Sequence, residues 1–192
     1  MRDQDFLKPF ESLMSAAEAR TLITAVSLHD RFYAREEAVK RYGFSIPCKE
    51  AVEAVAALSP LVEVGAGSGY WSRFLRAAGA DVVTTDVGGQ PKYSRLWNTE
   101  GIDVLEAVEA IKRHSDRNVF MSWPSYDKGW AANVAAEMRS GRHLAFIGES
   151  KGGCTADDRF FDILESDFDE GVLVLIPQWE GLHDYLTIYK KR

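Results

Sequence analysis

The sequence predicts an α/β domain: a Rossmann-like, doubly wound, mostly parallel seven-stranded sheet with an antiparallel edge strand, preceded by N-terminal helices. Three observations predict it. From residue 61 onward, short apolar runs of strand length alternate with amphipathic segments of helix length. The first of these runs leads directly into a glycine-rich loop, Gly65-Ala66-Gly67-Ser68-Gly69. The chain closes with two strand-like runs and no helix between them, which adds an antiparallel pair to a parallel sheet.

The first forty or so residues read as helical. Phe6, Phe10, Leu13, Met14 and Ala17 recur at helix spacing, as do Leu22, Ala25, Val26, His29 and Tyr33. Gly43 and Pro47 break the pattern, and a short helix is expected over 49–58, ended by Ser59-Pro60. A mostly apolar strand over 61–64, the glycine loop, and a helix over 71–78 follow. The β-branched run over 81–85 predicts a second strand ending at Asp86. A looser stretch through Gly88, Gly89 and Pro91 precedes a short strand near 102–104 and a helix over 105–113. Then come a strand over 118–122, a helix over 130–139 and an apolar strand over 144–148. Thr155 is the expected N-cap of a helix that turns Phe160, Phe161 and Leu164 inward. The closing strands span 171–177 and 185–189. The division expected is one domain over 1–192, with a helical extension over 1–45 and the α/β core over 46–192.

Bulk properties bound the function. With 192 residues the chain builds one well-buried core and no second ordinary domain. No run approaches the roughly 20 apolar residues that cross a bilayer, and the mixed-charge N-terminus does not resemble a signal peptide, so a cytoplasmic location is expected. A net charge of -6 gives no general footprint for nucleic acid. Cys48 and Cys154 lie far apart and suggest neither zinc nor a disulfide framework; His29, His114 and His143 have no metal-ligand spacing.

The glycine loop carries the chemistry. Glycines accept left-handed backbone and let it approach a ligand, and the loop lies at the carboxyl end of the first strand, where doubly wound sheets bind ligands. Asp86, ending the next strand, is placed to accept hydrogen bonds from ribose hydroxyls. A dinucleotide fingerprint is G-x-G-x-x-G; here the third glycine comes one residue early and Tyr70 takes the dinucleotide position, which disfavours a nicotinamide oxidoreductase.

The run Glu63-Val64-Gly65-Ala66-Gly67-Ser68-Gly69 instead resembles motif I of class I S-adenosylmethionine-dependent methyltransferases, with an acid two places before the first glycine. The resemblance is clearest over 46–147 and implies S-adenosylmethionine as cofactor. It implies that Glu63, Gly65, Ala66, Gly67 and Gly69 back the methionine end, that Asp86 holds the ribose and that Val87 packs on adenine. It further implies that Asp103 approaches the adenine amino group and that Ser122, ending the fourth strand, belongs to the cofactor side.

Met121-Ser122-Trp123-Pro124-Ser125-Tyr126-Asp127 follows the fourth strand and resembles the (Asp/Asn/Ser)-Pro-Pro-(Tyr/Phe/Trp) motif of amino-group methyltransferases. Aligned on Pro124 and Tyr126, it departs from that motif: Trp123 stands at the polar position and Ser125 at the second proline. Trp123, Pro124 and Tyr126 are the expected acceptor side, either as an aromatic wall for a planar or cationic group or as packing of the crevice. Glu149, in the glycine-rich loop after the fifth strand, is a candidate base or substrate anchor. Tyr42, Phe44 and Ser45 are placed either to cover the cofactor or to pack, and His183-Asp184 is a weaker acid–base candidate beside Trp179. Two functions follow: methyl transfer to nitrogen or oxygen of an unidentified small-molecule or protein acceptor, or cofactor binding without catalysis in a supporting subunit.

Overall fold

A computed structural model describes residues 4–88 and 99–192. The loose stretch through Gly89 and Pro91 falls outside the described residues. The chain begins with a 3-10 helix over Gln4–Glu11, where Pro9 removes one backbone donor and favours the tighter winding over the expected α-helix. Helices α1 (Ala16–Ala25), α2 (Leu28–Arg41) and α3 (Lys49–Ala56) follow. Ser15 caps α1 in a reciprocal capping box with Glu18.

The core is built from β1 (Leu61–Val64), α4 (Tyr70–Ala77), β2 (Val82–Asp86), β3 (Asp103–Val104), α5 (Ala107–Arg113), β4 (Asn118–Ser122) and α6 (Trp130–Glu137). It continues through β5 (His143–Gly148), α7 (Asp158–Asp167), β6 (Val172–Val174) and β7 (Tyr185–Lys190). One seven-stranded sheet results, in the order β3-β2-β1-β4-β5-β7-β6. β7 runs antiparallel between β5 and β6, and the other pairings are parallel. The expected doubly wound sheet with its terminal antiparallel pair is therefore what the chain forms.

β1 is buried on both faces, as a central parallel strand must be. Leu61 joins one apolar layer with α3 and α4, whereas Val62 and Val64 join the opposite layer with α5, α6 and α7. A third cluster ties the N-terminal helices to the β6–β7 connection: Phe10 packs on Trp179 with ring centroids 5.9 Å apart. No helix among the described residues is long and apolar enough to cross a membrane.

Two local expectations change. The helix after β5 is capped by Asp157, whose side chain accepts from the Phe160 N–H, and not by Thr155. Thr155 is buried, and its hydroxyl is taken up by the backbone of Glu149. The strand expected over 171–177 forms only as Val172–Val174, because Pro177 and the buried Ile176 and Trp179 turn the chain toward the N-terminal layer.

Candidate functional site

The glycine loop turns sharply out of β1. Gly65 has φ +67, and a Cβ there would lie 2.9 Å from the Trp130 ring. Gly69, also at φ +67, is the N-cap of α4, and a Cβ on it would meet Ile102. Both positions favour glycine on backbone grounds and on packing grounds. Asp86 locks the loop across the β1–β2 junction: one carboxylate oxygen accepts the Gly67 N–H and the other the Gly88 N–H, each at 2.8 Å. A carboxylate has about four acceptor sites, so two remain for a ligand.

Beneath the loop Glu63 is 2% exposed and accepts the Ser72 hydroxyl. Ser72 also bonds Thr84, which accepts from Arg76 at 2.6 Å. Burial pushes the Glu63 carboxyl up to about 7, against the lowering effects of Ser72 and Arg76.

Past β4 the chain makes its second sharp turn. Trp123 has φ +54, a left-handed conformation unusual for a large side chain and found where neighbours enforce it. Here its backbone N–H donates to Ile147 at 2.8 Å, its indole N–H donates to Asp184 at 2.8 Å, and Phe44 stacks on the ring at 5.5 Å. The Arg35 guanidinium lies 5.5 Å from the ring centroid. The carbonyl of Pro124 accepts the Ala156 N–H at 2.9 Å, Ser125 accepts the Trp130 indole N–H at 3.1 Å, and Tyr126 is 52% exposed.

One cavity of about 770 Å3 joins the two turns. Of the residues singled out from sequence, Glu63, Gly65, Ala66, Gly67, Asp86, Val87, Ser122, Trp123, Pro124 and Tyr126 line it, as do Tyr42, Phe44 and Ser45. Gly69, Asp103 and Glu149 do not. Asp103 is exposed and pairs with Thr85 in β3, while Leu105, Glu106 and Ala107, at the start of α5, face the cavity. Sequence reasoning missed them because β3 is only two residues long and exposed, giving no apolar run to fix its end.

Both Glu149 oxygens are occupied, one by the Cys154 N–H at 2.8 Å and the other by the His183 N–H at 2.9 Å. Burial pushes this carboxyl up, but the two N–H groups outweigh it and hold it below the usual range. Glu149 thus ties the loop that brings Cys154 to the cavity wall. The hydrogen bond to Glu149, then burial, raises the Cys154 thiol, which opposes thiolate formation at neutral pH. His183 is exposed on the outer surface, and Asp184 is spent on Trp123. Trp71, Ser125, Asp127, Lys128 and Trp130 also line the cavity; for Trp130, no sequence spacing announces that its ring packs against Gly65.

The sheet order β3-β2-β1-β4-β5-β7-β6, with β7 inserted antiparallel, is the order shared by class I methyltransferases. The chain has the class I S-adenosylmethionine-dependent methyltransferase fold. No protein-family profile matches the chain and no curated protein does. Solved structures do align with this methyltransferase fold. An rRNA methylase from Streptococcus thermophilus aligns at 16% identity over 73% of this chain and 94% of its own, with a TM-score of 0.44. A Burkholderia thailandensis 1,6-didemethyltoxoflavin-N1-methyltransferase, with 1,6-didemethyltoxoflavin and S-adenosylhomocysteine bound, gives 15% identity over 94% and 92%, at 0.45. A precorrin-6y C5,15-methyltransferase from Geobacter metallireducens gives 14% over 79% and 93%, at 0.49. The fold assignment rests on the chain's own sheet order, and no acceptor is carried over from these proteins.

Proposed function

We propose that the protein transfers a methyl group from S-adenosylmethionine to nitrogen or oxygen of a small-molecule or protein acceptor. The observation that carries this reading is the single cavity running from the Asp86-locked glycine loop to the Trp123 turn. Its volume of about 770 Å3 falls in the range of small-molecule sites, roughly 300–1,000 Å3. The residues fit the cofactor. Asp86 keeps acceptor capacity for ribose hydroxyls, Val87 offers an exposed apolar face to adenine, and Leu105, Glu106 and Ala107 close the adenine end in preference to Asp103.

Bound there, S-adenosylmethionine would supply a methyl group already activated by a cationic sulfur. The protein's task is then alignment and exclusion of water more than proton transfer. Tyr70, Trp71, Trp123 and Trp130 wall the cavity, and aromatic faces suit both a sulfonium and a planar acceptor. In this reading Glu149 acts indirectly, by fixing the Cys154 edge, and Trp123, Pro124 and Tyr126 form the acceptor side.

One observation favours a second reading, cofactor binding without turnover. The polar position of the amino-group motif holds Trp123, whose indole N–H is engaged by Asp184, and the Ser122 hydroxyl is bonded to Ser45 at 2.7 Å. No side-chain carbonyl remains at the motif's polar position to receive a target amine. Calorimetric titration with S-adenosylmethionine and S-adenosylhomocysteine, on protein freed of co-purified ligand, tests the cofactor. Absence of binding by both sinks the proposal. Radiolabelled methyl transfer into fractionated cell extract then separates enzyme from binding module.

A further inference from the structure

A second cavity, of about 340 Å3, opens at the other end of the sheet. β4 shows the separation: Val119, near its start, lines this cavity, whereas Ser122, at its end, lines the one described above. Lys112, Ser115, Arg117, Glu137, Arg139 and Arg142 supply its polar groups. Four cations thus face one carboxylate, in a chain whose net charge is -6.

The four cations differ in how far they are committed. Arg117 is fixed by the carbonyls of Leu61 and Asp81 and by the Asp81 carboxylate at 2.8 Å. Lys112, in the last turn of α5, pairs with Glu137 at 3.1 Å and also complements the helix C-terminus. The side chains of Arg139 and Arg142 make no hydrogen bond or ion pair with any described residue. Their backbone is nonetheless rigidly placed. The Arg142 N–H donates to Arg139 at 3.3 Å, closing a four-residue turn with Gly141 at φ +80. Gly141 donates to Lys191 at 2.8 Å, and Lys191 donates back to Arg142 at 2.9 Å, which anchors the turn beyond β7. Two uncommitted guanidinium groups are therefore presented from the first and fourth positions of one anchored turn.

We propose that this cavity binds a compact phosphoryl anion carrying two or more negative charges, held by Arg139 and Arg142 with Arg117 and Ser115 behind them. Guanidinium is the side chain that grips paired phosphoryl oxygens through two parallel N–H bonds. The volume lies at the small end of ligand sites, which suits a di- or triphosphate group better than a whole nucleotide. The site does not depend on the cofactor assignment.

Tripolyphosphate is the probe, titrated calorimetrically into the full chain at low and at physiological salt. Saturable binding is expected, weakened by salt. R139A and R142A should each reduce affinity about tenfold or more, the loss of a charge-assisted contact. R113A serves as a control, because Arg113 pairs with Glu109 and lies outside the cavity; it should bind as wild type does. Neither test arginine has a side-chain partner among the described residues, so the variants should stay folded, and retained S-adenosylhomocysteine binding would show an intact opposite end. No saturation at millimolar tripolyphosphate, or equal loss in R113A, overturns the proposal. Binding of a short RNA but not of tripolyphosphate also overturns it.

Discussion

The indole N–H of Trp123 donates to the Asp184 carboxylate at 2.8 Å, joining the turn after β4 to the connection before β7. Asp184 is 1% exposed, and its buried second oxygen has no hydrogen-bond partner among the described residues. Burial raises this carboxyl above its ordinary value even though the Trp123 hydrogen bond lowers it. Asp184→Ala leaves a half-buried indole N–H unsatisfied and is expected to cost about 1–3 kcal/mol in urea unfolding. Asp184→Asn keeps an acceptor oxygen and removes the desolvated charge, so it should cost much less. Equal losses in the two variants would show that the hydrogen bond does not hold the turn.

Gly65 and Gly79 separate backbone strain from loss of space. Both have positive φ, but of the two only Gly65 would bring a Cβ against a ring, at 2.9 Å; at Gly79 no described residue lies within 4 Å. Gly79→Ala should cost about 1–2 kcal/mol from the left-handed backbone and leave S-adenosylhomocysteine affinity unchanged. Gly65→Ala should cost more and displace Trp130, abolishing that binding. Calorimetry and thermal unfolding on both variants check the contrast, and normal binding by Gly65→Ala would contradict the geometry.

Asp86 both organises the loop and faces the cavity. Asp86→Ala should weaken S-adenosylhomocysteine binding roughly tenfold to a hundredfold, the scale of a lost charge-assisted hydrogen bond, in protein with an unaltered circular dichroism spectrum. Asp86→Asn, which keeps one acceptor oxygen, should fall between. Unchanged affinity in Asp86→Ala would remove the ribose role.

Much of this arrangement was legible in the sequence. β1, β4 and β5 announce themselves as apolar runs because they are buried on both faces, and the glycine spacing with Asp86 located the loop. Where burial is one-sided or short, the signal fails. β3 has two exposed residues, so its end gave no pattern from which to expect that Leu105, Glu106 and Ala107, and not Asp103, line the cavity. Glu149 stands among glycines in a polar loop, and nothing in its neighbours predicts that two backbone N–H groups occupy it. The Trp123–Asp184 contact spans 61 positions; it follows from β7 entering the sheet beside β5, a pairing no local pattern encodes.

Glu63 gives the protein a pH signature. Its carboxyl lies at about 7 when folded against an ordinary 4.5, with burial as the main cause. The folded state therefore holds a proton that the unfolded chain has released, and stability falls as pH rises from about 4.5 to about 7. The total cost is on the order of 3 kcal/mol. Glu63→Gln should flatten the profile in that window and leave the variant relatively more stable above it. A wild-type denaturation midpoint that does not decline there more than the variant's would refute this assignment.

The N-terminal layer touches the glycine loop at two backbone carbonyls: Ser68 donates its hydroxyl to Tyr42, and Tyr70 donates its own to Phe10. Tyr42 also stacks on Tyr70, with centroids 4.9 Å apart. Any ligand that orders the loop therefore draws on the same hydrogen bonds that seat residues 4–45. Occupancy and seating become thermodynamically linked, so saturating S-adenosylhomocysteine should slow amide exchange across α2 and the segment behind it. Ligand escape is then governed by the lifetime of those contacts, and removing one donor by Ser68→Ala should shorten residence time more than it slows association.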